Sequence, residues 1–556
     1  MARRRPRGQA LPVIAVVARS RAVAVVLAAL ALVAMPASSR AANAFPANHE
    51  GYHNYAEMSA VLDDVVAAHP GIAAKFALGE SYEGRKMWAL KISDNVASDE
   101  DEPEVLFTSL AHAREWLTVE QALRNIELLT DNYSASPATQ LEQRVTDIVN
   151  SLEIYIVPMV NPDGAEYDIS DPDAGFKNWR KSRQPVGPGA QPGIDLNRNY
   201  GFKWGCCGGS TKKPGSLYYR GSAPWQAVED AVLRDFVLSR IVGGRQQIRA
   251  AIDWHSFNEE IMWPFGYTLA DLPRPMAADD LAAFKAVAQE MAERNGYMPK
   301  QLSDLYVLDG GSSDWLYGDQ RIFALTIELY PLDNSHVGGF HPPDDIIERE
   351  TTRNDGAVLY FLEQVACPYA AAGLDDTHCG PLDDDFETGR AWQFDPDGTD
   401  TATGGAWERA IAQKSRSGGK VRQRPFGYSA RYTLVTGAAR GANANANDLD
   451  GLTSVRSPQF ALGNPGSSGW TVQFRYTFAH AANSSATDYL RLTVGGDELW
   501  RQSGAASQRG ASWRLVTLSL DDYAGQQIRL RFEAADGAAN SLVEAALDDV
   551  RVYRQP

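Results

Sequence analysis

The sequence predicts an α/β fold, a mixed central sheet flanked by helices, followed by a C-terminal antiparallel β-sandwich of jelly-roll type. One pattern predicts each half. Residues 45–370 alternate strand-like runs ("EVLFTSL", "EIYIVPMV", "AAIDWHS", "FALTIELY") with helical ones ("AEMSAVLDDVVAAH", "DDLAAFKAVAQEMAERN"). Such alternation argues for a largely parallel sheet covered by helices. Beyond Cys379 the helical period gives way to short runs of period two, which is the pattern of strands that face a core on one side only.

In chain order the first element is a leader. Arg3, Arg4, Arg5, Arg7, Arg19 and Arg21 precede the apolar run Ala22 to Ala34, and small residues follow in "PASSRAANA". That order reads as an export signal over residues 1–44, cut near Ala41 to Ala44. The apolar run is short for a membrane span of ~20 residues, so a secreted chain without a membrane span in its mature form is expected. Residues 45–370 form the α/β domain and 371–384 a linker, in which the polar "GPLDDDFETG" begins. Residues 385–556 form the sandwich. There Val472, Phe474, Tyr476 and Phe478 alternate with polar residues, as do Leu490, Leu492 and Val494. Val516, Leu518 and Leu520 repeat the pattern, and so do Ile528, Leu530 and Phe532.

Composition agrees with a large exported protein. The 556 residues exceed one ordinary domain. The formal charge is −17, and the leader removes seven arginines and no acid. That balance argues against nucleic acid or an anionic membrane as partner. Four cysteines suit an oxidising compartment. Cys367 and Cys379 bracket a short loop and can pair, whereas adjacent Cys206 and Cys207 either form a vicinal disulfide or stay free.

The chemistry starts from His112-x-x-Glu115 in "LAHAREWLTVE", answered by His255 in "AIDWHSF". Two imidazoles and one carboxylate make a three-ligand zinc site with one open position, which is the catalytic arrangement. Residues three apart share one side of a helical turn, so His112 and Glu115 can converge on one ion. Alone, the pattern also describes a solvated His and Glu. Glu328 adds weight, because it sits in the buried-strand run "RIFALTIELYP". A carboxylate there is either a salt-bridged acid or a general base. Arg180 in "NWRKSR" and Asn197-Arg198 in "GIDLNRNYG" supply the planar forks that grip a carboxylate. Tyr306 precedes the flexible pair Gly310-Gly311 and reads as a residue that swings over a substrate or as a surface loop residue.

With these residues in hand, the stretch from about Tyr52 to Cys379 resembles the secreted zinc carboxypeptidases of the A and B type, nearest to the bacterial carboxypeptidase T branch. The stretches that carry the likeness are "GYHNYAEM", "SYEGRKMWALKISDN", "HAREWLTVE", "IYIVPMVNPDG", "DLNRNYGFKWGCCGG", "DGGSSDW" and "ALTIELYP". The resemblance implies that His112, Glu115 and His255 hold one zinc ion and that Glu328 is the base that activates the attacking water. It implies that Arg180 stabilises the oxyanion. It assigns Asn197, Arg198 and Tyr306 to the substrate's C-terminal carboxylate, Arg114 to residues further up the peptide, and Asp195 to the outer nitrogen of the first zinc histidine. The substrates would be peptide and protein C-termini.

The position that carries an acid in enzymes selective for Lys or Arg matches Ser313, and its pocket neighbours match Met262, Gly266, Leu308 and Thr326. Hydrophobic or neutral C-terminal residues are therefore expected, with Asp309 or Asp314 as a route to broader acceptance of basic ones. Phe257 departs from the tyrosine that many relatives carry. The same likeness points to a structural calcium ion near Asp99, Glu100 and Glu104. The C-terminal module suggests attachment to a surface or carbohydrate ligand. Two other readings are weaker. An amidase or endopeptidase acting on cell-wall peptides has no use for Asn197, Arg198 and Tyr306. A binding protein with an inactive enzyme domain would have lost one of His112, Glu115, His255 and Glu328.

Overall fold

The computed structural model describes residues 45–554, apart from residues 101, 189–192, 243–244, 335–337, 388–390, 429–430, 439–442, 447, 464–468 and 538–540. The expected leader over residues 1–44 lies outside the described residues. Among the described residues no helix is long and apolar enough to cross a membrane.

The first sheet is built from β1 (Ala73–Glu80), β2 (Lys86–Ile92), β3 (Glu104–Ser109), β4 (Glu153–Val157), β5 (Ile248–Ser256), β6 (Glu260–Trp263), β7 (Met298–Gln301) and β8 (Phe323–Leu329), in the order β1-β2-β4-β3-β5-β8-β6-β7. Its centre, β4-β3-β5-β8, is parallel, and β1, β2 and β6 run antiparallel to their inner neighbours. The sheet is therefore mixed, as expected from the sequence. Strands β3 and β4 are buried at every residue, which is what helices on both faces produce and why residues 105–107 and 154–157 are apolar without alternation.

Local signals set the helix ends. Asn54 accepts from the backbone of Ala56 and Glu57, while Glu57 bonds back to the Asn54 amide, which starts Tyr55–Ala68. Thr139 and Glu142 do the same for Gln140–Val149. Gly296, at φ 77°, ends Ala278–Asn295 in the left-handed conformation that glycine adopts at least cost.

Beyond the helices the chain forms two antiparallel sheets. One orders Trp407–Ala410, Thr433–Thr436, Val543–Arg554, Trp470–His480 and Arg514–Ser519, with Leu382–Asp384 also paired to Val543–Arg554. The other orders Gln393–Phe394, Gly451–Arg456, Leu530–Asp536, Tyr489–Val494 and Asp497–Ser503. Both inner faces meet in one core that includes Val472, Phe474, Leu490, Leu492, Phe532 and Val550. This core is separate from the larger one around the first sheet.

The stretch read as a linker is more ordered than its polar sequence suggests. Leu382–Asp384 is a strand of the sandwich. His378, 5% exposed, reaches Asp279 on the long helix at 2.9 Å and Asp383 at 3.2 Å. The polar residues around this segment are spent on ion pairs, Asp385 with Arg321 of the first domain and Asp383 with Arg551 of its partner strand in the sandwich.

Candidate active site

Three strand ends converge on one place. His112 follows β3, His255 is the penultimate residue of β5, and Glu328 is the penultimate residue of β8. β5 and β8 are parallel with Glu328 in register with His255, so both side chains project from the same side of the sheet. Ligands of open α/β sheets gather at such carboxyl ends.

His112 and Glu115 do meet, but not on a helix. They close a tight turn, in which the Glu115 amide donates to the His112 carbonyl at 3.0 Å, and the helix starts only at Leu117. Thr118 holds this turn by accepting from the Leu110 amide at 3.0 Å and donating to the Glu115 carbonyl at 2.7 Å. Fully buried Trp116 anchors it from below through its indole N–H on Asp168. Asn161 joins this turn to the next segment, donating to the carbonyls of Ala111 and Lys181.

The three donors face one point. His112 Nδ1 lies 2.8 Å from Glu115 Oε1, His255 Nδ1 lies 3.0 Å from Glu115 Oε2, and the two Nδ1 atoms are 3.1 Å apart. Each ring turns its other nitrogen to a carboxylate: His112 Nε2 to Asp195 at 3.2 Å and His255 Nε2 to Asp253 at 3.0 Å. Those bonds hold the Nε2 protons outward and leave both Nδ1 lone pairs pointing inward, where a small cation would sit. Two inward imidazole nitrogens and one carboxylate are a donor set that fits zinc. Burial alone would raise the Glu115 carboxyl, but His112 and His255 outweigh it and hold the group well below the usual carboxylate range.

Glu328 is buried on the same side, and its Oε2 has no hydrogen-bond partner. Burial, and then the neighbouring Glu115 carboxylate, push its pKa up to about 8. Arg180 donates from Nε and Nη2 to Asp195 Oδ2, both at 3.1 Å, and its Nη1 lies 3.8 Å from Glu115. Asn197 and Arg198 form a short turn capped by Asp195, whose carboxylate accepts from the Asn197 amide. Asn197 Nδ2 is 3.2 Å from His255 Nε2. Arg198 donates from Nε to the Gly209 carbonyl at 3.0 Å and from Nη1 to the Asn197 carbonyl at 2.5 Å, while Nη2 is buried without a partner. Tyr306 is 43% exposed, with its ring 5.6 Å from the Arg198 guanidinium. Arg114 stands further out, over the Phe340 ring and on the Asn178 side chain.

A small apolar cluster adjoins this group. Met262, Leu302 and Leu308 form a buried apolar cluster, and the hydroxyls of Ser313 and Thr326 bond each other at 2.6 Å. Asp309 and Asp314 do not open into it as free acids. Asp309 accepts from the amides of Cys207 and Gly209, and Asp314 from those of Gly266 and Tyr267. Both are fully buried, because loop amides with no strand partner need an acceptor.

Two residues escaped the sequence reading. Asp253 carries a legible signal: it stands two before His255 on a strand, and period two puts both on one face. Tyr218, 49% exposed, lies 5.6 Å from Arg180 and 5.7 Å from Arg198, and nothing in its loop sequence announces that. Cys206–Cys207 and Cys367–Cys379 are both disulfides.

The comparison with known families decides the assignment: the zinc carboxypeptidase profile matches residues 58–355. The chain belongs to the zinc carboxypeptidase family. It is similar to a zinc carboxypeptidase of Saccharothrix mutabilis subsp. capreolus, with 44% identity over 323 residues that cover 58% of this chain and 71% of the relative. A carboxypeptidase B of Astacus astacus is 32% identical, covering 56% of this chain and 97% of the relative. The crystal structure of the carboxypeptidase A from Helicoverpa armigera aligns at 26% identity and a TM-score of 0.48, covering 58% of this chain and 75% of that one. As a zinc carboxypeptidase the chain is a metal-dependent hydrolase, and His112, Glu115 and His255 are the described group with the donor set for that metal.

The acidic stretch expected to take calcium is split. Asp99 and Glu104 lie with Glu153, and Arg240 and Lys91 meet these acids directly. Glu100 falls in a different group, with Asp94 and Glu102.

Proposed function

We propose that this zinc carboxypeptidase removes single residues from the free C-terminus of peptides and proteins, with neutral or apolar residues preferred. One observation carries the reading: the buried, unpartnered Nη2 of Arg198 beside the histidine–glutamate cluster. A buried guanidinium donor left unmade is costly, and a substrate carboxylate is the group whose geometry matches it. Asn197 and Tyr306 border the same donor, and an enzyme that clamps the terminal carboxylate cuts only the last bond.

Zinc, when bound, supplies Lewis acidity to the carbonyl and lowers the pKa of a water. The chain's own residues do the rest in this reading. His112, Glu115 and His255 hold the ion, and Asp195 and Asp253 fix the two rings. Glu328 takes the proton from the attacking water at its free Oε2 and returns it to the leaving amine. Arg180, kept in place by Asp195, stabilises the negative charge that grows on the carbonyl oxygen, an interaction stronger in the transition state than before it. Arg114 contacts the peptide further from its end. Met262, Leu308, Ser313 and Thr326 receive the terminal side chain. Among the described residues no free acid lines that cluster, so a basic side chain would enter without a counter-ion.

We assign residues 45–370 to the catalytic domain, 371–384 to the connection, whose last three residues already pair with the accessory sheet, and 385–556 to an accessory domain, a division supported by the two separate cores. Export after loss of residues 1–44 completes the proposal.

The test uses one peptide as the free acid and as the C-terminal amide, with and without a zinc chelator, with products read by mass. Stepwise loss of single residues from the acid alone, stopped by the chelator and restored by zinc, is the expected result. Internal cuts in both peptides would overturn the exopeptidase reading. Glu328→Gln should abolish turnover while zinc stays at about one per chain.

A further inference from the structure

The accessory module carries a concentration of positive charge that the peptidase chemistry does not use. Acids outnumber bases 70 to 53 in the chain, yet residues 413–425 and 505–514 contain seven Lys and Arg and no acid. These two segments lie together. The hairpin Ser415–Ser417/Lys420–Gln423 turns at Gly418-Gly419, both at positive φ, and the Ala511 amide donates to the Val421 carbonyl at 2.8 Å.

Between them lies a cleft of about 390 Å³ lined by Lys414, Lys420, Arg424, Pro425, Gly510 and Ser512, among others, with no acidic residue in its wall. Lys414, Lys420 and Arg424 are exposed, and none is in an ion pair among the described residues. Arg416 on the same hairpin is exposed and, among the described residues, in no ion pair either.

The cleft is a fixed structure. Arg422, 1% exposed, ties the hairpin to the neighbouring strand ends by donating to the carbonyls of Ser417, His480 and Arg509. Arg424 spends only its Nε, on the Ala511 carbonyl at 3.0 Å, which aims the guanidinium and leaves both terminal nitrogens available. Three unneutralised cations around one rigid cleft repel each other, and that repulsion is relieved by a ligand of opposite sign. An oriented guanidinium beside two ammonium groups suits tetrahedral oxyanions, which accept from several donors at once.

We propose that this cleft binds a linear polyanion bearing phosphate or sulfate groups, and that the module thereby holds the peptidase on such a polymer. The overall negative charge opposes any polyanion elsewhere on the molecule, so binding is confined to this end of the sandwich.

The test uses the full mature chain, with inorganic polyphosphate, dextran sulfate and uncharged dextran as probes, and vesicles of anionic phospholipid as a fourth. Binding to polyphosphate or to dextran sulfate, but not to dextran, is expected, and the stronger of the two identifies the oxyanion. The dissociation constant should rise about tenfold or more between 50 and 200 mM salt. It should rise at least about tenfold in the triple variant Lys414→Glu, Lys420→Glu, Arg424→Glu. The three side chains are exposed, so melting temperature and peptidase activity of that variant should stay at the wild-type level. Absence of binding to both charged polymers, equal binding to dextran, binding to vesicles alone, or full binding by the triple variant each overturns the proposal.

Discussion

Asp195 holds His112 with one carboxylate oxygen and Arg180 with the other: Oδ1 lies 3.2 Å from His112 Nε2, and Oδ2 accepts from Arg180 Nε at 3.1 Å. One buried acid thus orients both an imidazole of the donor cluster and the cation next to it. Burial would raise this carboxyl, but Arg180 and Arg198 outweigh burial and hold it far below its usual range. The Asp195→Asn variant keeps the shape and removes the charge. Zinc affinity should fall about 10- to 100-fold, as losses of such outer partners do. Competition with a fluorescent chelator measures it, and an unchanged affinity would show that Asp195 does not tune the ligand.

Arg198→Ala removes the clamp candidate whose Nη2 is buried without a hydrogen-bond partner. A charge-assisted bond is worth about 1.5–3 kcal/mol, so kcat/KM for a free-acid peptide should drop about 10- to 150-fold. Zinc content should stay at about one per chain. Arg198→Lys retains charge without the fork and should fall between wild type and Arg198→Ala. An unchanged kcat/KM in Arg198→Ala would remove Arg198 from carboxylate recognition.

The exposed Cys206–Cys207 disulfide sits in the loop that supports this clamp. The Cys207 and Gly209 amides donate to Asp309, and the Gly209 carbonyl receives Arg198 Nε. Replacing both cysteines by serine should loosen those bonds by about 0.5–1.5 kcal/mol in sum, a few-fold rise in KM with kcat nearly constant. Steady-state kinetics on one peptide decides it. A change confined to kcat would place the effect elsewhere.

His378 makes stability depend on pH. Burial would lower its pKa, but the bonds to Asp383 and Asp279 prevail and raise it above the ordinary imidazole value. A histidine raised in the folded state stabilises fully below its unfolded pKa of about 6.5, and the contribution fades as pH climbs through the folded value. At pH 6 the His378→Ala variant should be less stable by about 1–3 kcal/mol. The gap should narrow at alkaline pH. Parallel denaturant melts at both pH values test this, and a gap that widens with pH would reverse the assignment.

Much of the fold and the site was legible before any coordinates. Period two in Trp470–His480 and Tyr489–Val494 marked the strands whose alternate apolar side chains enter the sandwich core, and the strand-like runs of β3 and β4 fell in the central sheet. The donor types were equally plain, since His112, Glu115, His255 and Glu328 are named by motif and by a charge inside an apolar run. Residue identity determines which chemistry is available, because lone pairs, charge and side-chain volume are local properties.

What the chain order cannot carry is distance. His255 stands 143 residues from His112, and only the parallel register of β5 against β3 and β8 brings their nitrogens to one point. The same limit explains the acids that were misplaced. Asp309 and Asp314 look available in the sequence, but loop amides from residues 207–209 and 266–267 reach them first. The polar run after Cys379 looks like a tether, yet ion pairs to elements distant in sequence make it part of the seam. A buried polar group must find a partner, and which partner it finds is settled by packing, so the tertiary structure decided every pairing for which the amino-acid sequence had only supplied the two ends.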